Sequence, residues 1–374
     1  MKITAVRTTP LFLPYKERYH WAQGVLEGAR VVLVEVESDA GVVGIGESLA
    51  APTAESTVAI LRQAADRLVG QPPFDIARLM AEITQANFAA IGTGNTPRFA
   101  NMVFAGLEMA LWDLLGKALG QPAHRLLGGA LRVEIQYFGF LQGDTAEELA
   151  AHARELLEAD CPVFYMKIGR GEAIDLANVA AVRAAIGARR LRLDANEAWD
   201  PLTARRMIAA LAPYRPEFIE QPTPSQSLEA LAQVRQAVDV PIAADQTAFT
   251  LFDVYEICKA RAADVIVLGL HETGGLTGFR KAATVAEAAG VKLCLHGVFE
   301  TGITTCAANQ AAATIPNLDD GNQIMPQLLA EDIVAAPELT PRRGRLPVFE
   351  GPGLGFELDR DAVARAAARH GDEG

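Results

Sequence analysis

The chain of 374 residues has few cysteines, only 6% aromatic residues and no long apolar run. The four cysteines, Cys161, Cys258, Cys294 and Cys306, lie far apart and form no CxxC pair. This excludes a small disulfide scaffold, and reduced, buried thiols suit a cytoplasmic protein. No stretch approaches the roughly 18 apolar residues that a membrane span needs. The opening segment MKITAVRTTPLFLPYKERYHW has one short apolar patch and no cleavage site, so no signal peptide is expected. Basic blocks are missing as well. Lys+Arg 34 against Asp+Glu 46 gives a net charge of −12, which argues against nucleic acid or an anionic membrane as partner. Neither GxGxxG nor a Walker motif is present, so a nucleotide cofactor is not expected.

What remains is half hydrophobic and 21% charged, the mix of a globular protein. The length suits a large barrel or two domains. Residues 1–130 read as an α+β unit. Val31 to Ser38 is a strand, Asp39-Ala40-Gly41 a turn into a second strand, and amphipathic helices follow near Thr53 to Leu68 and Asn101 to Leu119. From 131 to 325 short apolar runs alternate with Ala-rich helices. The runs are RVEIQYFGF, PVFYMKI, LRLDAN, EFIEQ, PIAAD, DVIVLGL, VKLCLHG and a weaker NLDDGNQI. Eight such alternations fit a closed (β/α)8 barrel better than an open sheet. The Pro- and Gly-rich remainder, 326–374, should return to the first domain.

In such a barrel the active site lies at the C-terminal ends of the strands. The polar residues closing the runs recur at that height: Lys167 to Asp194 is 27 residues, Asp194 to Glu220 is 26, and Glu220 to Asp245 is 25. Gly269, His296 and Asn322 continue the series at steps of 24, 27 and 26. Three carboxylates converging there raise one another's pKa unless a cation compensates them. An all-oxygen set makes Mg2+ the first choice and Mn2+ the second. Any one of these acids could instead cap the next helix, but three in register point to a metal site. Lys167, beside such a dication, should have a lowered pKa and is a candidate general base. His296 stands across the ring of strands from it.

At this point the residues resemble a family. DANEAW around Asp194, FIEQP around Glu220 and AAD at Asp245 are similar to the metal-ligand motifs of the enolase superfamily, in its mandelate racemase and muconate lactonizing branch. MKITAVRT, GLEMALWDLLGKALGQP, TGGLTGFRKAATVAEAAGV, FETGI and GPGLGFELD extend the likeness over nearly the whole chain. The resemblance implies an α+β capping domain built from both chain ends, Mg2+ in the barrel, and removal of the proton α to a carboxylate through an enediolate. Substrate contacts are expected at Tyr19, His20 and Trp21 in the cap, and at Tyr165, Asn196, Glu300 and Asn322 in or beside the motifs.

The departures bear on the reaction. The KxK pair of lysine-based members is reduced to Tyr165-Met166-Lys167. The sixth-strand lysine of the muconate lactonizing, dipeptide epimerase and succinylbenzoate synthase types is replaced by Gly269, which disfavours those activities. Mandelate racemase-like members have Asp at that place, paired with the seventh-strand His. Here His296 lacks it and must be oriented by something else; His271 and Glu272 lie nearby in sequence, with ordinary loop residues as the favoured reading of both. The leading expectation is dehydration of a hydroxy or sugar acid, with Lys167 as base and His296 as acid. Racemase, epimerase or lactone cycloisomerase activity follows closely. A metal-dependent hydrolase would bring more His ligands, and a catalytically silent binding barrel is the remaining class. A small carboxylic acid is the expected partner, and the Ala-rich helices suggest a homo-oligomer, dimer or octamer.

Overall fold

The computed structural model describes residues 1–22, 24–88 and 97–372. The chain begins with a long antiparallel hairpin, β1 (Ile3–Trp21) and β2 (Gly24–Ser38), followed by β3 (Val43–Leu49) on the outer side of β2. Side chains alternate across the pleat, and here both faces are apolar. Val31 and Leu33 pack with Leu11 and Leu13 toward the barrel, whereas Val32, Val34 and Val36 pack on the cap helices. Those helices are α1 (Ala54–Leu68), α2 (Ile76–Phe88) and α3 (Pro97–Leu119). Thr53 starts α1 with a reciprocal capping box to Ser56. The sequence reading did not anticipate α2 and began α3 at Asn101. Gly44 and Gly46 let β3 lie directly on α3, since a Cβ at either would stand 2.0 Å from a carbonyl oxygen of that helix.

The barrel sheet has seven parallel strands in chain order: Gly139–Phe140, Val163–Lys167, Arg190–Asp194, Phe218–Glu220, Ile242–Ala244, Val265–Leu268 and Lys292–Leu295. The eighth run closes the ring through isolated parallel bridges, Leu293 to Leu318 on one side and Tyr137 to Asn322 on the other. RVEIQYFGF is not one strand. Its first part, Glu134–Gln136, pairs antiparallel with Arg345–Pro347, and only Gly139–Phe140 joins the barrel. The C-terminal helix Arg360–Asp372 packs on β1, so the tail does return to the cap. Among the described residues no helix is long and apolar enough to cross a membrane.

Alternation along the barrel strands stacks their inward side chains in layers. Phe218, Ala243, Val267 and Cys294 form one small apolar cluster, with the Arg192 guanidinium 4.7 Å over the Phe218 ring. Arg192 is fully buried, and it donates to Glu217 and Asp319 at 2.9 Å each. Two residues further along each strand, the next inward layer holds Asp194, Glu220, Asp245, Gly269 and His296. That layer is the floor of the site.

Candidate active site

The register carries Lys167, Asp194 and Glu220 side by side, because Lys167 pairs with Asp194 and Asp194 with Glu220. Glu220 pairs with Ala243, so Asp245 stands two residues beyond it on the next strand. Asp194, Glu220 and Asp245 each present an oxygen, and the three lie within 4.8 Å of one another. All three residues are buried. An all-oxygen triad of this spread fits a hard octahedral dication with ligand bonds of about 2.0–2.1 Å.

Each carboxylate is aimed by a local contact. Asp194 Oδ1 accepts the Asn196 backbone N–H at 2.8 Å, in a turn where Asn196 has φ of +42°. The Asp245 N–H donates to Gln221 Oε1 at 3.0 Å, and Gln246 Nε2 donates to Asp245 Oδ2. The Tyr165 hydroxyl lies 2.6 Å from Asp194 Oδ2 and 2.9 Å from Glu220 Oε1, with its ring stacked on Phe138 at 4.3 Å. Burial and the mutual repulsion of the acids push Glu220 well above the usual carboxylate range and Asp245 up to about 7.

Lys167 Nζ is 2.5 Å from Asp194 Oδ2. Burial disfavours its ammonium, yet the charges of Asp194 and Glu220 and the hydrogen bond to Asp194 outweigh that and raise its pKa. The sequence reading expects the opposite direction, for a lysine beside a dication. A dication held by the triad would offset most of that negative charge and would bring the pKa back down. For His296 burial likewise disfavours the charge, while Asp245 and Glu272 raise the imidazolium pKa to about 10.

Glu272 was read from the sequence as an ordinary loop residue, and the structure overturns that. It lies in a buried four-residue helix, Leu270–Thr273, with Oε1 2.5 Å from His296 Nδ1. Asp245 Oδ1 is 3.3 Å from the same nitrogen. His271 points elsewhere, its Nε2 3.0 Å from Thr304 Oγ1.

Lys167, Asn196, Asp245 and His296 share one cavity of about 240 Å3. Its remaining wall combines an apolar part, Tyr19 and Trp21 from β1, Met102 from α3, and Phe249, Val298 and Phe299 from barrel loops, with the polar Glu197, Gln246, Glu272 and Gln323. Phe299 meets Tyr19 and Trp21 edge-on, at 5.8 and 5.7 Å between centroids. Sequence reasoning named Tyr19 and Trp21 but missed Met102, Phe249, Val298 and Phe299, although Phe249 lies only four residues beyond Asp245.

Other expected substrate contacts lie elsewhere. His20 faces a second, polar cavity of about 890 Å3 that also reaches Tyr19 and Lys167. Tyr165 sits beneath the ligands, outside the lining of the small cavity. Glu300 is buried, accepts the Val298 N–H at 3.0 Å, and is pushed by burial up to about 8. Asn322 is wholly buried and bonds backbone, accepting from Leu295 N at 2.7 Å and donating to Gln136 O at 2.8 Å. Its work is to close the barrel.

A capped barrel with an acidic triad at its strand ends, and an amine and an imidazole sharing one cavity beside it, is an arrangement suited to carbon-acid chemistry. Comparison with known proteins narrows the class. Residues 3–128 match the mandelate racemase / muconate lactonizing enzyme N-terminal domain, and 148–362 match the enolase C-terminal domain-like family. The chain belongs to the enolase superfamily, in its mandelate racemase and muconate lactonizing branch. Muconate cycloisomerase 1 of Rhodococcus opacus is 33% identical over 97% of this chain and 98% of its own. A hydrophobic dipeptide epimerase of Enterococcus faecalis is 32% identical over 85% and 89%. Among solved structures, N-succinyl Arg/Lys racemase from Bacillus cereus superposes with a TM-score of 0.90, at 25% identity over 98% of each chain.

Proposed function

We propose that this enzyme isomerises a small carboxylic acid by moving a proton at the carbon α to the carboxylate. The observation that carries this reading is the placement of Lys167 and His296 in one cavity with Asp245, whose carboxylate lies within 4.8 Å of those of Asp194 and Glu220. Asp194, Glu220 and Asp245 would hold Mg2+, which when bound would neutralise charge developing on the substrate carboxylate. Lys167 takes the α-proton on its Nζ after giving its own proton up. Glu272 and Asp245 hold His296 through Nδ1, so Nε2 is the ring atom free to give a proton to the substrate. Return of the proton from the other side inverts the centre. In a lactone cycloisomerisation the enediolate electrons instead form a C=C bond while the ring C–O bond at the β-carbon breaks and its electrons leave on a carboxylate oxygen. In reverse that oxygen adds at the β-carbon and the α-carbon is protonated. Tyr19, Trp21, Phe249 and Phe299 exclude water from the face where charge develops.

The apolar part of the wall also bears on the substrate. Each hydroxyl of a sugar acid buried there without a partner would cost about 1–3 kcal/mol. We therefore place isomerisation of an acid with a compact apolar substituent ahead of the sugar-acid dehydration expected from the sequence. Among the relatives a muconate cycloisomerase and a hydrophobic dipeptide epimerase support the same order, whereas a D-galactarolactone cycloisomerase, 31% identical over 97% of this chain, supports isomerisation of a more oxygen-rich acid. The polar cavity beside Lys167, with Arg18, His20 and Arg170 in its lining, keeps dehydration as the second reading.

The test is a panel of α-substituted acids incubated with enzyme and Mg2+ in D2O, followed by proton NMR and polarimetry. The expected result is α-deuteration with loss of optical rotation, or lactone formation, for acids with apolar substituents. Turnover confined to polyhydroxylated acids, with release of water, would overturn it in favour of dehydration.

A further inference from the structure

Strand alternation points position 269 into the site, on the same layer as Asp245 and His296. The chain has no side chain there. The φ of Gly269 is −112°, open to any residue, so backbone conformation does not require glycine. Space does. A Cβ at 269 would stand 2.2 Å from Glu272 Oε2 and 2.9 Å from the His296 carbonyl oxygen. The volume that a strand-end side chain would occupy is filled by a carboxylate arriving from the helical turn three residues later.

That turn is pinned at several points. The Thr273 hydroxyl donates to Gly269 O at 2.8 Å, and Gly275 N donates to Leu270 O at 2.8 Å. From the cap, Asn101 on α3 donates its side-chain amide to the Glu272 carbonyl at 2.6 Å. Asn101 is absent from the lining of the small cavity, where its neighbour Met102 is present. The same helix therefore closes the cavity and grips the residue that holds His296.

We propose that Glu272 is the positioning residue for His296, in the space left by Gly269, and that Asn101 of the cap helix holds Glu272 in place. The cap and the imidazole are thereby coupled through Glu272, which itself borders the cavity. Glu272 fixes the ring tautomer with the proton on Nδ1 and leaves Nε2 facing the cavity. Its kinetic consequence rests on the proton-transfer reading above; its structural consequence does not.

Two measurements on the full chain loaded with Mg2+ test this. In protein labelled with 15N-histidine, the His296 Nδ1–H should give a far-downfield proton resonance, identified by its loss in His296→Asn. Glu272→Gln should move it upfield, and Asn101→Ala should broaden or shift it, with melting of each variant recorded alongside. Gly269→Ala should displace the carboxylate and reproduce the Glu272→Ala spectrum. In the double variant the second change should add little, since both remove one contact. The kinetic arm uses any acid that exchanges its α-proton. Glu272→Ala should lower the His296-dependent half-reaction about 10–100-fold, mainly in kcat, and leave the Lys167-dependent washout of the other enantiomer within about threefold.

An unchanged resonance in Glu272→Gln, or full additivity of Gly269→Ala with Glu272→Ala, would overturn the positioning role. An unchanged spectrum in Asn101→Ala would overturn the coupling to the cap. If no acid exchanges but the spectra behave as stated, the proposed function fails and the Glu272–His296 arrangement stands.

Discussion

Lys167 Nζ shares a hydrogen bond of 2.5 Å with Asp194 Oδ2, so the lysine proposed as base is tied to one of the proposed metal ligands. The lysine and the triad form one electrostatic unit. A cation placed among the carboxylates weakens this ion pair and makes deprotonation of Nζ easier.

Lys167→Ala should abolish α-proton washout from one enantiomer of an accepted acid while the other still exchanges. General-base groups contribute about 10²–10⁴-fold, and the loss should fall in that range. Deuterium incorporation into each pure enantiomer measures it. Equal, small losses on both would remove Lys167 from the base role.

Tyr165 gives a second expected outcome. Its hydroxyl lies between Asp194 and Glu220, while its ring is held independently by stacking on Phe138. Tyr165→Phe keeps the stack and deletes only the polar contact. Partners of metal ligands typically affect affinity 10–100-fold, so the Mg2+ dissociation constant should rise by about that factor, read by titration calorimetry. Unchanged affinity would show that the hydroxyl does not orient the ligands.

Asp194, Glu220 and Asp245 were legible in the sequence because a βα unit repeats about every 25 residues and places each strand end at one height. Glu272 was not, because its carboxylate reaches the same layer from a helical turn, outside strand periodicity. The glycine at 269 was the available signal, since it announced a missing side chain without saying what fills the space. Tyr19 and Trp21 were found through the cap segment. Met102 and Phe299 were not, because their common wall comes from segments nearly 200 residues apart. The eighth barrel strand was read as weak, and in the fold it is only a set of bridges around Leu318 and Asn322.

Glu108 on α3 carries much of the junction between cap and barrel. It is buried and accepts from Leu276 N at 2.8 Å, Thr277 N at 3.0 Å, the Thr277 hydroxyl at 2.6 Å and Trp112 Nε1 at 2.7 Å. Two of these are orphan amides at the start of helix Leu276–Ala288, whose N-cap, Gly275, has no side chain to offer. Glu108→Ala leaves all four donors without this acceptor and should cost about 3 kcal/mol or more. Glu108→Gln, which keeps one oxygen, should cost less. Denaturant unfolding compares them, and a loss below about 1 kcal/mol in the alanine variant would mean that water replaces the carboxylate.

Asp332 supplies a pH dependence away from the metal site. Its Oδ1 accepts Gly302 N at 3.1 Å and Ile333 N at 2.7 Å, at the start of the buried helix Gly302–Ala312. Burial nevertheless dominates these bonds and raises its pKa from 3.8 to about 6. The folded protein therefore binds this proton more tightly than the unfolded chain. The contribution is fully present below about pH 4 and is lost as pH rises through about 6. The loss amounts to about 3 kcal/mol at most. Asp332→Asn cannot ionise and has no such component. The stability of the wild type relative to this variant should thus fall between pH 4 and pH 7, measured by urea unfolding at each pH, with the other titrating groups common to both proteins. A difference that stayed flat, or grew, over that interval would show that the carboxylate ionises in the fold as readily as in water.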